Sequence, residues 1–415
     1  MIGLRLRQIL VVMAAIGTTI SQAAPHDYLQ TLIVTNGATS DCTQPYMSDN
    51  AAVMAYRDAN GGTPRIMVDN GGGFVNITSG LIDVSGPRVS HDGKFVAFYG
   101  TNGSNQGRPY VYNVALGPGV GNPTPLPVGA STTPASSLLP PGVSDEIGGY
   151  VYIVFEDMES ILGAPKQIRL YEYSWTLTVG RTTVVVSNDA NHDPADDDCE
   201  SPIIRADATE IAFVSNATNL MGNNSGFKQV FLTSGSPWVT NEVISQDNSS
   251  AFLTADSSFP AGSSDLNIIA FQNADGDDNI YVRDRSAPDT FIPYDVTVFG
   301  AGNRGSYEPT VSADGNVIAF SSWRPFSGTA FDPLTMVGLV DRCIYAKTIY
   351  PANAGGVIES FRDGGGGTRY RRGGAYPCLN GDGSELLFQS NGDRLVGSEV
   401  HPTEDWIYWR HDAVW

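Results

Sequence analysis

Residues 308–322 read EPTVSADGNVIAFSS, and the pattern describes a hairpin. Pro309, Thr310, Val311 and Ser312 form a short strand, Ala313, Asp314 and Gly315 a tight turn, and Val317, Ile318, Ala319 and Phe320 a second, apolar strand. Asp and Gly accept the positive φ angles that tight turns impose, and an Asp side chain also caps the turn. Eleven residues separate Pro309 from Phe320, and the same spacing joins Pro45 to Tyr56, Pro87 to Phe98, Pro202 to Phe213, Pro260 to Phe271 and Pro377 to Phe388. A seventh copy, Pro141 to Phe155, fits when three residues are inserted after its turn. A pattern repeated this often is scaffold, so it states the fold and leaves the function to what varies between copies.

The turn acid or amide recurs as Asn50, Asp92, Asp207, Asp265, Asp314 and Asp382, and an alanine precedes the aromatic at Ala55, Ala97, Ala212, Ala270 and Ala319. Small residues there permit close sheet packing. Each hairpin is followed by a third strand with alternating polarity, beginning near residues 65, 109, 168, 229, 279, 343 and 406, and all but the last by a fourth. Four short strands per repeat predict an all-β fold, a β-propeller of seven four-stranded blades. A six-bladed ring, with the irregular Pro141 unit as an insertion, is the alternative. The chain ends before the seventh blade obtains a fourth strand. At the other end, residues 31–35 lead into NGATSDCTQP much as TVVVS leads into NDANHDPADDDCESP. The N-terminal strand is therefore expected to complete the last blade and pair the edges that would otherwise be open.

Residues 1–23 read as a secretory signal: Arg5 and Arg7 precede a mostly apolar run over 9–20, and Ser21, Gln22 and Ala23 form a small-x-small cleavage site. That run is too short for a membrane span. The expectation is an exported protein, periplasmic or extracellular, with 24–415 as a single propeller domain. The formal charge of −20 becomes −22 without Arg5 and Arg7. This disfavours nucleic acid and anionic membrane as partners and suits cations or basic proteins.

The Pro-x-x-Ser-x-Asp-Gly core with its following apolar strand, kept best at 87–98 and 309–320, resembles the TolB-type, WD-like β-propeller repeat of exported bacterial proteins. The resemblance covers nearly all of the mature chain and implies the fold; relatives include periplasmic scaffolds and substrate-gating propellers of serine peptidases. This chain has no Gly-x-Ser-x-Gly elbow. Oligogalacturonate lyases also resemble seven-bladed propellers, but their metal site implies clustered histidines, whereas His26, His91, His192, His401 and His411 are scattered.

In antiparallel blades the Asp-Gly turns share one rim with the third-to-fourth connections, and the second-to-third and blade-to-blade loops share the other. Most length variation falls on that second rim, at 188–201, 324–342, 362–376 and 389–405. Variable loops on a rigid scaffold are where binding usually lives. Asn273, Asp275, Asp277 and Asn279 present oxygens at alternate positions, roughly as a Ca2+ loop does, although Asp278 replaces the glycine an EF-hand needs and a solvated acidic turn explains the segment equally. Asp193, Asp196, Asp197, Asp198 and Glu200 form a dense acidic run, either solvated or facing a cation or basic partner. Arg362, Arg369, Arg371 and Arg372 lie in a Gly-rich segment that reads as an anion-binding loop or as a flexible loop carrying stray charge. Four cysteines permit disulfides in an exported protein, and Cys42 and Cys378 are the candidate bridge, since blades one and seven adjoin. Nothing places a nucleophile beside a base. The expected function is a protein-binding or scaffold module using the long-loop rim. A polysaccharide-binding or polysaccharide-degrading propeller, with Trp323, Phe326, Tyr370 and Tyr376 stacking on sugar rings, is the rival, and a structural part of a cell-surface assembly is the third reading.

Overall fold

The protein is described by a computed structural model covering residues 31–410 except 36–39, 104–106, 120, 127–134, 136–137, 157–163, 175–182, 236–237, 248, 277, 288–290, 295–304, 323–341, 350–356, 359–373 and 391–404. Seven small antiparallel sheets are formed, and the six-bladed alternative falls away. Blade one is Cys42–Met47, Met54–Asp58, Arg65–Asp69 and Val75–Asn76, in that order from the axis outward. Blades three to six repeat the order. In blade two the innermost strand is split into Leu81–Val84 and Arg88–Val89, both paired with Phe95–Asn102. Blade seven takes its fourth strand from the other end of the chain: Thr31–Ile33 pairs antiparallel with Trp406–Arg410, Ile33 opposite Tyr408. The ring is closed as the sequence predicts.

The core consists of seven clusters, each shared by two adjacent blades. Ala270, Ile280 and Val282 of blade five meet Val311, Ile318 and Phe320 of blade six, and Met54, Tyr56 and Cys42 of blade one meet Cys378, Leu387 and Ile407 of blade seven. The repeated alanines are all essentially inaccessible, from Ala55 at 1% to Ala319 at 0%, because a neighbouring sheet lies on them. The repeated aromatic has a cross-strand partner that the hairpin pattern alone does not reveal. Phe98–Tyr110, Phe271–Tyr281, Phe320–Tyr345 and Phe388–Tyr408 stack with centroids 5.5, 5.9, 6.0 and 5.7 Å apart. Such pairs add roughly 0.5–1.5 kcal/mol each beyond their burial.

The repeated serine has a role as well. Ser312 Oγ donates to Asp314 Oδ1 (2.6 Å) and accepts from the Val317 amide (2.9 Å), and Ser48, Ser90 and Ser263 repeat the arrangement. The following turn residue has positive φ whether it is Gly93, Gly315 or Gly383, or Ala51, Ala208 or Leu266.

These turns are also joined to one another. The Asp49 amide donates to His91 O, Asp92 N to Asp145 Oδ1, Asp145 N to Ala206 O, Ala206 N to Ser264 O, Ser264 N to Ala313 O, Asp314 N to Gly381 O and Gly381 N to Asp49 O, all within 2.8–3.0 Å. Seven bonds therefore run once round the turn rim and return to their start. Six are backbone to backbone; the link from blade two to blade three uses the Asp145 carboxylate.

Candidate functional site

In five blades the innermost strand begins three residues before the repeat proline, not at it, and the proline sits in a β-bulge. Register shifts fall between Thr43 and Tyr46, Glu200 and Ile203, Ser258 and Ala261, Tyr307 and Thr310, and Ala375 and Cys378. A bulge is where a strand tolerates proline, which cannot donate to the ladder. The residue before the proline is driven to positive φ in all five: Gln44 (53°), Ser201 (56°), Phe259 (49°), Glu308 (54°) and Tyr376 (49°). Non-glycine residues rarely adopt this conformation, and it gathers at sites where a side chain is re-aimed.

All five line the central channel, whose volume is about 160 Å3 and whose wall also carries the repeat prolines. Because the bulges lie near the start of each innermost strand, this ring of five unlike side chains stands at the long-loop end. The backbone freed at the bulge is held from the neighbouring blade: Glu156 accepts from Ser201 N (3.1 Å), Gln389 from Gln44 N (3.4 Å) and Glu308 from Tyr376 N (2.9 Å). Glu308 also accepts from Ser321 Oγ and pairs with Arg342 at 3.0 Å, whose guanidinium lies over the Tyr307 ring. Burial raises the Glu156 carboxyl above its ordinary range, against the Ser201 amide and the Lys166 ammonium 3.7 Å away. At the turn end, His91 Nδ1 is 2.8 Å from Asp49 Oδ1. Burial alone would lower the His91 pKa, but the Asp49 bond and the charges of Asp49, Asp145 and Asp92 raise it.

The acidic run is spread over separate partners. Asp196 accepts from the Thr218 amide (2.6 Å) and hydroxyl (2.5 Å), Asp198 from the Lys166 amide (2.7 Å), and Glu200 pairs with Lys228 at 2.6 Å. Burial would raise the Asp196 carboxyl, and the Thr218 and Asn219 bonds hold it below its ordinary range. The run borders a surface that sequence reasoning missed, where Met221, Phe227 and Phe259 are 48%, 37% and 37% exposed. The segments that carry them are joined: Asp196 holds the start of the 218–228 loop, the Lys228 amide donates to Asp256 Oδ1 (2.8 Å), Ser257 N to Lys228 O (2.8 Å), and Ala274 N, beside Asp275, to Asp256 O (2.8 Å). Asp193, Asp196, Asp197, Asp198, Asp256 and Asp275 are exposed on these same segments.

Asn273 donates to Ala255 O and Ser257 Oγ and accepts from Asp275 N, and Asn279 donates to Asp275 O, so both amides tie the hairpin together. Asp277 lies outside the described residues, as do Arg362, Arg369, Arg371, Arg372, Trp323, Phe326 and Tyr370. Among the described residues no group of three or more His, Cys, Asp or Glu is placed to hold a metal ion. Cys42 and Cys378 are buried free thiols that share a cluster without forming the expected bridge. The reason is position along the strand. Cys378 is held by the Met47 amide, whereas Cys42 begins the same strand as Met47 and lies beside Thr35. Five residues at ~3.3 Å each separate them by well over the ~7 Å Cα limit of a disulfide, even with a bulge between.

Neither protein-family models nor curated proteins match the sequence. Among solved structures, an oligogalacturonate lyase from Vibrio parahaemolyticus superposes with a TM-score of 0.52 at 10% identity, over 92% of this chain and 93% of the other. The β-propeller domain of the trilobed protease from Pyrococcus furiosus gives 0.48 at 10% identity over 85% and 91%. TolB from Acinetobacter baumannii gives 0.38 at 15% identity over 62% of this chain, which spans 55% of the TolB chain. At 10% identity the likeness to the lyase is one of fold. No helix among the described residues is long and apolar enough to cross a membrane. By its repeat and its ring of seven sheets, the chain is a seven-bladed β-propeller.

Proposed function

We propose that this chain is an exported binding propeller that holds a protein partner on its long-loop rim. The observation that carries the reading lies on hydrogen-bonded segments of blades four and five, where Met221, Phe227 and Phe259 are exposed and the same segments carry exposed carboxylates. Exposed apolar side chains grouped together and rimmed by polar groups mark interaction sites. Lys166 and Lys228, the described lysines on these segments, are already engaged by Glu156 and Glu200. The exposed carboxylates are therefore matched by a basic partner, and complementary charge steers its approach. The turn rim, by contrast, is occupied by its own ring of hydrogen bonds and consists of short turns.

The test is capture from native envelope or culture fluid by the mature protein and by a Met221→Asp/Phe227→Asp variant, with glycan-array binding in parallel. A stoichiometric protein partner that the variant loses supports the reading. Glycan binding with no protein partner, or a partner retained by the variant, removes it.

A further inference from the structure

The channel itself has a chemistry that the rim does not explain. The charged side chains lining it are Asp49, Arg88, His91 and Glu308. Asp49 is paired with His91 at 2.8 Å, and Glu308 with Arg342 at 3.0 Å. That leaves Arg88. It has a phenol as its hydrogen-bond partner, Tyr46 Oη at 3.4 Å, and its guanidinium lies 5.3 Å from the centroid of the same ring. Among the described residues it has no carboxylate within salt-bridge distance, in a protein with 44 acidic residues and 24 basic ones. Among the described residues, Arg88 is thus the one charged group of the channel wall without an ion-pair partner, and the protein as a whole is strongly negative.

Much of the wall around this charge is apolar, with Gln44, Ser201 and Thr310 among its polar groups. The repeat prolines, Met47, Val89, Val311 and Leu379 line it, and Tyr46 and Arg88 reach it from adjacent blades one and two. A guanidinium against such a wall recognises a planar, two-oxygen anion by paired N–H donors, and the low dielectric strengthens the contact. The cavity of about 160 Å3 sets the size. A cavity of roughly 150 Å3 holds benzene, so one compact apolar body fits beside the anionic group.

We propose that the channel is a binding site for a small monocarboxylate with a compact apolar body, its carboxylate on Arg88 and its body against the proline-lined wall. The same chemistry is offered by a free organic acid and by the C-terminal residue of a polypeptide. The site shares Phe259 with the rim surface, but its anion contact is made by Arg88, which the rim surface does not use, so the two readings are tested apart.

The test uses the mature protein at pH 7 with benzoate and its neutral isostere benzamide, read by calorimetry or ligand-observed NMR. Benzoate is expected to bind at least about tenfold more tightly than benzamide, and Arg88→Gln to remove that preference. Arg88→Lys, which keeps the charge and loses the fork, is expected to fall between the two. Equal binding of benzoate and benzamide to the wild type, or no binding of either, overturns the proposal whatever the stability of the variants. An N-acetylated Ala-Ala-Phe peptide with a free or amidated C terminus separates the sources. Tighter binding of the free form than of benzoate assigns a chain terminus; weaker binding assigns a free acid. The amidated form binding as well as the free form overturns the proposal.

Discussion

Glu308 shows how much a single residue carries that its neighbours conceal. It is the first letter of the repeat, yet the repeat is defined by the proline after it, and no spacing rule separates it from Gln44, Ser201, Phe259 or Tyr376. Only the bulge, with its positive φ, reveals that these five unlike residues occupy one structural position and face one channel. His91 is a second case. Its proton is held by Asp49, with Asp92 and Asp145 also facing it, and its pKa is raised in the folded state. A raised histidine pKa means that the folded state binds the proton more tightly than the unfolded chain. The stabilisation is full below the ordinary value of 6.5 and is lost as pH rises through the folded-state value. The melting temperature is therefore expected to fall as pH rises above 6.5, and His91→Asn to flatten that part of the profile. An unchanged slope in the variant would assign the dependence to other groups.

The blade was the most legible element. Its strands followed from alternation, and its turns from Ser-x-Asp-Gly, because both depend on contacts within about fifteen residues. What joins one blade to the next was not legible. The turn-to-turn bonds use backbone atoms, which every sequence supplies, and the Asp145 link looks like any other turn acid. The Cys42–Cys378 expectation failed for a related reason: adjoining blades were read correctly, but height along the strand was not. Gly383 joins both levels, with φ of 75° and a Cβ position 2.5 Å from Val317 of the preceding blade. Gly383→Ala is expected to cost about 1–3 kcal/mol by strain and overpacking, measured by chemical denaturation. Gly103→Ala, where a Cβ meets nothing within 4 Å, is expected to be close to neutral.

At the scale of the whole molecule, closure was readable because the seventh blade lacked a strand and the N terminus offered one. Deleting residues 24–36 removes Thr31–Ile33 from the edge of Trp406–Arg410. The expected result is a lower melting temperature and concentration-dependent self-association, since an exposed strand edge pairs with another chain. An unchanged melting temperature would contradict closure by this strand. The rim was legible only as a place: its variable loops were located, but exposed Met221 and Phe227 come from a loop of blade four and Phe259 from the innermost strand of blade five, which sequence distance keeps apart.

The central claim is that the long-loop rim, and not the turn rim, receives the partner. Amine-directed crosslinking of the captured complex, followed by mass spectrometry, tests it directly, because Lys166 and Lys228 lie on the long-loop rim and Lys94 follows a turn on the other. Crosslinks to the partner through Lys166 and Lys228, with Lys94 joined only within the chain, are the expected result. Partner crosslinks concentrated at Lys94 would place docking on the opposite face and contradict the account.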